Sequence, residues 1–298
     1  MRIVRIRREA ACVVSPGRAL PRVPPSIEDG IDWILRVREA YLPMDRALRC
    51  VHGSRLAALA AALLAAATPD RAAETSVAVA ANFRDACTEI GRAFGAATGH
   101  RALFSFGSTG QLYAQIAQGA PYDVFLAADR ARVDRTLAAG LAVEGSRQTY
   151  AAGRLVLFSM DASLVTGPET LARAHFAKLA IAEPAIAPYG LAAMQVLRAL
   201  AVQDRIGERL VRGQSVAQAY QFVHSANAEL GLVALSQVAL HAKGSRWLVP
   251  ERLHEPILQD AVLLRRGAGN PAAESFLEFL SGSQAAAVRA RLGYGGGR

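Results

Sequence analysis

The sequence of 298 residues has few of the residue types that mark metal sites and many catalytic sites. It contains only three cysteines, Cys12, Cys50 and Cys87, and no pair has the CxxC spacing of zinc or redox sites. No Walker phosphate loop or GxGxxG motif follows a predicted strand. These absences argue against a zinc protein, a thiol redox enzyme and a nucleotide-binding enzyme, and we expect neither a cofactor nor a bound metal ion.

The chain is also poor in aromatic residues, at 6%, and its charged fraction of 20% is ordinary. An apolar fraction of 52% is ample for a buried core. The net charge is +9, but residues 1–73 carry twelve basic and seven acidic residues, so they hold more than half of it. The basic residues are nearly all arginine and form no patch suited to phosphates, so a nucleic-acid partner has little support.

No hydrophobic run is long enough to span a bilayer as a helix. Leu56–Ala67 is uncharged, follows a short basic stretch that opens at Met44, and ends in an Ala-x-Ala cleavage pattern. These features predict a signal peptide at residues 44–73 and a periplasmic protein. A signal peptide normally begins a protein, so we expect translation to start at Met44. We interpret residues 1–43 as an extension that is either non-native or disordered.

From residue 74 onward the pattern alternates short apolar strands with helices of 3.6-residue periodicity. Strands are predicted at Ser76–Ala80, Arg101–Phe106 and Asp123–Ala127, with a helix after each one. The helix from Phe83 to Thr98 ends at a glycine and places Cys87 on its apolar face. This rhythm predicts an α/β fold with a largely parallel sheet, and about 225 residues suit two lobes better than one.

Two of the predicted strand-to-helix junctions carry polar residues suited to an anion. Asn82 follows the first strand, and Ser108 and Thr109 lie between glycines at the start of a later helix. A helix N-terminus offers unpaired N–H groups and a positive dipole end, so it binds an anion without lysine or arginine. Each of these residues also has the simpler role of capping its helix.

Five stretches of the sequence, taken in order, resemble the periplasmic molybdate-binding proteins of ABC transporters. The GAPYDVFLAAD run at Gly119–Asp129 is the most specific of the five. The others resemble the family's ligand loops and late strand, and are Val79–Phe83 (VAANF), Ser105–Leu112 (SFGSTGQL), Ala187–Gly190 (APYG) and Gly231–Ser236 (GLVALS). The likeness runs from about Ser76 to Tyr294.

This resemblance implies the type II periplasmic-binding-protein fold, with two α/β lobes and a ligand cleft between them. Lobe I would comprise residues 74–158 plus 259–298, and lobe II residues 159–258. The implied oxyanion contacts are Asn82, Ser108, Thr109, Tyr189 and Val216. Ala81 and Ala234 replace hydroxyl-bearing residues of some relatives, which leaves the number of side-chain donors open.

The resemblance therefore implies a solute-binding protein that captures molybdate, and also tungstate, and delivers it to the permease of an ABC importer. We expect a monomer that meets the membrane only through that permease. The same fold binding sulfate or another small anion is the first alternative. A secreted hydrolase using Ser108 or Ser236 is the second. It is weaker because the histidines are scattered and no GxSxG motif exists.

Overall fold

The computed structural model describes residues 72–295, which form two mixed α/β sheets with helices packed on them. The predictions for residues 1–43, and for all but the last two residues of the predicted signal peptide 44–73, lie outside the described residues. Within 72–295, no helix is both long and apolar enough to cross a membrane.

The first sheet has five strands in the order β2-β1-β3-β10-β4. The strands β1, β2 and β3 run parallel, and β10 lies antiparallel to both β3 and β4. Val77, Ala78 and Val79 of β1 are fully buried, as expected for a strand covered on both faces. The strands are β1 (Glu74–Ala80), β2 (Arg101–Gly107), β3 (Val124–Leu126), β4 (Gln148–Gly153) and β10 (Ile257–Leu263).

The second sheet also has five strands, in the order β7-β6-β8-β5-β9. The strand β6 runs parallel to β7 and β8, whereas β5 is antiparallel to β8 and β9. The strands are β5 (Leu155–Ser159), β6 (Leu179–Ala182), β7 (Leu210–Gly213), β8 (Leu230–Ala234) and β9 (Ser245–Leu248).

Ten α-helices pack on the two sheets within the described part of the chain. The longest, α1, begins after a 3₁₀ turn at Ala81–Phe83 and ends at Gly99, whose φ of 73° supplies the left-handed cap. The helices are α1 (Arg84–Thr98), α2 (Thr109–Ala117), α3 (Ala131–Ala138), α4 (Glu169–Arg173), α5 (Pro188–Ala199), α6 (Gln203–Ile206), α7 (Val216–His224), α8 (Leu235–Val238), α9 (Pro271–Ser281) and α10 (Ser283–Arg291).

The chain passes from one sheet to the other twice. The strand β4 ends at Gly153 in the first sheet, and β5 begins at Leu155 in the second. It returns between Leu248, the end of β9, and Ile257, the start of β10. The division into residues 74–158 plus 259–298 and residues 159–258 stays a prediction. Because all of β5 pairs within the second sheet, we propose Arg154 as the first boundary.

The structure differs from the sequence prediction in the direction of its strands. A largely parallel sheet was predicted, but four strand pairs are parallel and four are antiparallel. The antiparallel pairs all involve β5 or β10, the two strands that follow a crossing. The strands β4 and β7 were not predicted, because neither QTYAAG nor LVRG has a strongly apolar pattern.

Separate hydrophobic clusters support the two sheets. Phe83, Ile90, Phe94 and Phe276 are fully buried beside the first sheet, and Cys87 lies among them as predicted. Burial raises the pKa of the Cys87 thiol well above its ordinary value, which suits a packing role rather than a reactive one. A second cluster surrounds strands β5, β6 and β8. Each sheet is thus stabilised by its own hydrophobic core, and the loops between the sheets are not needed for that packing.

Candidate functional site

The five residues predicted to contact an anion line one small cavity between the two sheets. Asn82, Ser108 and Thr109 come from the first-sheet side, and Tyr189 and Val216 from the second. Each has a relative exposure of 4% or less. The cavity volume is about 10 Å³, which admits about one water molecule. The remaining lining residues are Ala80, Ala81, Ala128, Ala187 and Pro188.

The first loop follows β1 and turns through the 3₁₀ segment Ala81–Phe83 into α1. The side-chain amide protons of Asn82 are used in hydrogen bonds within the protein. Its Nδ2 donates to Oε1 of Gln259 at 3.0 Å and to the Tyr294 hydroxyl at 3.3 Å. Its carbonyl accepts from the Tyr294 hydroxyl at 2.7 Å and from Ser236 Oγ at 2.9 Å. Asn82 is therefore anchored from several directions, which fixes the backbone at the cavity.

The second loop follows β2 and begins α2 with a reciprocal capping box. Ser108 Oγ accepts from the Gln111 N–H, and the Gln111 side chain accepts from the Ser108 N–H. The Ser108 backbone donor is thus occupied, but its hydroxyl keeps a proton to donate. Thr109 Oγ1 accepts from the Ala128 N–H at 3.1 Å, and as the first residue of α2 its own N–H lacks an intrahelical partner.

The second sheet contributes two further helix starts. Tyr189 is the second residue of α5, after Pro188, and Val216 is the first residue of α7. The Ser215 side chain caps α7 by accepting from the Gln218 N–H, so it leaves the Val216 N–H without an intrahelical partner. Tyr189 adds a hydroxyl, which accepts a hydrogen bond from Gln259 Nε2 at 3.3 Å.

The loops approach so closely that side-chain size matters at their contact. The Gly110 N–H donates to the Ile186 carbonyl at 2.9 Å, which joins α2 to the loop before α5. A Cβ at Gly110 would lie 3.0 Å from that carbonyl oxygen, tighter than ordinary contact. Glycine therefore allows the two halves of the site to meet.

The charge at the cavity comes from helix ends and not from cations. The 3₁₀–α1 segment, α2, α5 and α7 all begin there, and each N-terminus carries a partial positive charge. No lysine or arginine is among the lining residues. Nearby Arg132 pairs with Asp129 at 2.5 Å and donates to the Ala185 carbonyl at 2.8 Å. An anion in the cavity would thus meet neutral donors.

Beneath the cavity lies a hydrogen-bonded network that the sequence did not predict. Gln259, fully buried in β10, joins Asn82, Tyr150 and Tyr189, while Tyr294 joins Asn82. A polar residue inside the apolar strand ILQDAVL was the one available signal for it. Burial raises the pKa of the hydroxyls of Tyr150, Tyr189 and Tyr294, so all three stay protonated at neutral pH.

A larger groove lies beside the cavity and shares Ala128 and Pro188 with it. Its volume is about 250 Å³, and its wall is mostly apolar, with Leu191, Ile257 and Leu258 among the lining residues. None of the five predicted contact residues lines this groove. The anion site and this groove are thus separate features.

Comparisons with known proteins agree with this architecture. The family model described as bacterial extracellular solute-binding protein matches residues 75–295. The molybdate-binding protein of Rhodobacter capsulatus is 44% identical over 234 residues, covering 78% of this chain and 93% of that protein. The molybdate-binding protein of Azotobacter vinelandii is 48% identical over 242 residues, covering 80% and 95% respectively.

The fold of this chain is also similar to that of a solved molybdate-binding protein. The periplasmic molybdate-binding protein of Azotobacter vinelandii aligns with a TM-score of 0.73 at 40% sequence identity. The alignment covers 75% of this chain and all of that one. The similarity therefore includes both sheets and the cavity between them.

Proposed function

This chain belongs to the bacterial extracellular solute-binding proteins, among their molybdate-binding members, and on that premise we propose that it captures molybdate for an ABC importer. Tungstate, an oxyanion of the same charge and shape, is its second expected ligand. The capture takes place in the periplasm, after export directed by the predicted signal peptide.

The observation that carries this proposal is the convergence of neutral donors on one small cavity lined by buried residues. Four helix N-termini meet at it, and Ser108 and Tyr189 among its lining residues carry hydroxyls, whereas no lining residue has a cationic side chain. Such a shell stabilises a dehydrated anion through directed N–H and O–H groups. An organic carboxylate would normally recruit an arginine, so an inorganic oxyanion is the better fit.

We assign a role to each of the five residues at the cavity. Asn82 and Val216 donate backbone N–H groups, Ser108 and Tyr189 donate hydroxyl groups, and Thr109 donates its N–H at the start of α2. The Asn82 side chain acts indirectly, because its amide protons already bond to Gln259 and Tyr294. This assignment keeps all five residues as ligand contacts, with Asn82 contributing through its main chain.

Release of the ligand requires the two sides of the cavity to separate. A space of about 10 Å³ is too small for a tetrahedral oxyanion to enter unless the loops move. The crossings at Arg154 and between Leu248 and Ile257 are the natural hinges, since only these segments connect the sheets along the chain. Opening at the permease would then release the anion.

The partner we propose is the permease subunit of the importer, met by a monomer of this protein. We also propose that the protein catalyses no reaction. The two serines that a hydrolase could use are bonded to the main chain, Ser108 to the Gln111 N–H and Ser236 to the Asn82 carbonyl. Among residues 72–295, neither has the histidine partner that nucleophilic activation requires.

Sulfate is the second candidate ligand, because it shares the charge and shape of molybdate and is smaller. The cation-free lining is the observation in its favour, because neutral N–H and O–H donors suit any dianionic oxyanion. Calorimetric titration of the purified protein with molybdate, tungstate, sulfate and phosphate separates the candidates. Tight binding of the first two alone supports the proposal, and tight sulfate binding would replace it. If none of the four anions bound, the proposal of an oxyanion site would be refuted.

A further inference from the structure

Gln259 is a buried amide whose orientation is set by three different residues. Its Oε1 accepts from Asn82 Nδ2 at 3.0 Å and from the Tyr150 hydroxyl at 3.0 Å. Its Nε2 donates to the Tyr189 hydroxyl at 3.3 Å. With two donors facing its oxygen, the amide must present its nitrogen to Tyr189.

This contact determines what the Tyr189 hydroxyl can do. A phenol has one proton to donate, and an oxygen that already accepts from Gln259 directs that proton elsewhere. Tyr189 lines the cavity, and within residues 72–295 its hydroxyl has no protein acceptor. That proton is therefore available to an acceptor outside these residues, such as a ligand held in the cavity that Tyr189 lines.

We propose that Gln259 is a positioning residue that makes Tyr189 a hydrogen-bond donor to the bound oxyanion. It touches no ligand itself, since it does not line the cavity, and it acts through the direction of one hydrogen bond. This inference rests on the proposed function and adds a specificity-determining residue to the site.

The surrounding structure is built to hold Gln259 in this place. The pairing of β10 with β4 shifts register between Gln259 and Asp260, a bulge of the kind that re-aims side chains beside binding sites. The fully buried Asp260 anchors the strand by accepting from Arg147 at 2.5 Å and from Thr149 at 2.7 Å. The two buried polar side chains of β10, Gln259 and Asp260, therefore both have hydrogen-bond partners.

Gly153 completes the arrangement by leaving room for it. A Cβ at this position would lie 2.2 Å from the Tyr189 hydroxyl and 2.6 Å from Gln259 Nε2. Gly153 ends β4, directly before the first crossing between the sheets. The contact of Gln259 with Tyr189 thus occupies a space that only a glycine at 153 leaves open.

A double-mutant cycle tests the proposal on the full chain, with molybdate affinity measured by calorimetry. The variants are Gln259→Leu, Tyr189→Phe and the combination. We expect each single variant to weaken binding about tenfold or more. Once Tyr189 is phenylalanine, Gln259→Leu should cost at least about threefold less than in wild type, and what remains should reflect the bond that Gln259 also makes to Asn82. Additive losses would overturn the proposal, since they would mean that Gln259 does not act through Tyr189.

A second variant, Gln259→Glu, keeps the size of the side chain and reverses its hydrogen bonding. A carboxylate accepts the Tyr189 proton and turns it away from the cavity, so molybdate binding should fall at least about a hundredfold at pH 8. Binding should recover as the pH falls, because a protonated carboxyl can donate to Tyr189 again. Gln221→Glu, an exposed change on α7, is the matched control and should bind like wild type.

The outcomes separate this inference from the function on which it rests. If wild type binds none of the four anions, both are refuted. If wild type binds molybdate but Gln259→Glu binds equally well, or is weakened without any dependence on pH, only the positioning role is refuted. Thermal unfolding without ligand shows whether each variant is folded.

Discussion

The hydroxyl of Ser236 donates a hydrogen bond of 2.9 Å to the carbonyl oxygen of Asn82. Ser236 lies in α8, directly after a strand of the second sheet, and Asn82 follows β1 of the first. One bond therefore links the two sides of the cavity at the residue that forms its first loop. Contacts made only when the sides are together contribute to ligand affinity by favouring closure.

Ser236→Ala should weaken molybdate binding about two- to tenfold, the usual worth of one neutral hydrogen bond. The Asn82 carbonyl keeps its bond from Tyr294, so no buried acceptor is left unpaired and the melting temperature should change little. Titration calorimetry and thermal unfolding measure the two effects. Ser225→Ala, a change at an exposed position, is the control. If Ser236→Ala bound molybdate as tightly as Ser225→Ala, the prediction would be contradicted.

Asn82→Ala should reduce both affinity and stability. An Asn82 amide that donated to the ligand would, on removal, cost one to two decades in affinity. Because the amide bonds instead to Gln259 and Tyr294, we expect a smaller loss, about two- to tenfold. The structure adds a cost of about 1–3 kcal/mol, because the substitution removes a donor from Gln259 and one from Tyr294. Urea unfolding gives the free energy of unfolding. Asn227→Ala is the exposed control, and wild-type stability in Asn82→Ala would show that the network is not needed.

Gly153→Ala should weaken binding about tenfold or more by displacing the Tyr189 hydroxyl. The added Cβ would lie 2.2 Å from that oxygen, and burial leaves the ring little room to move. Gly207→Ala is the matched control, since a Cβ there meets nothing within 4 Å. Wild-type affinity in Gly153→Ala, measured by calorimetry, would contradict the close packing described here.

Stability should fall in strongly alkaline solution. Burial raises the pKa of the Tyr150, Tyr189 and Tyr294 hydroxyls above the value of about 10 for an unfolded chain. Above about pH 10 the unfolded chain releases these protons while the folded protein keeps them, so the free energy of unfolding decreases. Each tyrosine contributes about 1.4 kcal/mol per pH unit, and none of this effect is present below its unfolded pKa.

Urea unfolding between pH 8 and pH 11 measures this decline. Tyr150→Phe removes one of the three buried phenols, so its stability should fall less steeply above pH 10 than that of wild type. Identical slopes in the two proteins would show that Tyr150 ionises as easily in the folded state as in the unfolded chain.

Molybdate affinity should depend little on salt. No lysine or arginine lines the cavity, and donors on buried residues are screened far less than surface charges. We expect the dissociation constant to change less than about threefold between 50 and 500 mM sodium chloride. A steep loss of affinity with salt would indicate that surface arginines, and not the helix ends, hold the anion.

The sequence by itself predicted the α/β class, the positions of the first three strands and the two candidate anion-binding loops of the first sheet. These features are local, because strand and helix periodicity and a capping residue such as Ser108 act within a few positions. The resemblance supplied Tyr189 and Val216, which no local pattern would select. All five residues meet at one cavity, as expected of a shared site.

Only the tertiary structure decided which groups of those residues face the cavity. The Asn82 amide bonds to Gln259 across 177 positions, and its carbonyl bonds to Ser236 across 154. Such contacts depend on where β10 returns to the first sheet and how the strands register, which the periodicity of a single strand does not encode. The sequence and its resemblance thus determined which residues we propose for the site, and the crossing of the chain between the two sheets determined how their hydrogen bonds point.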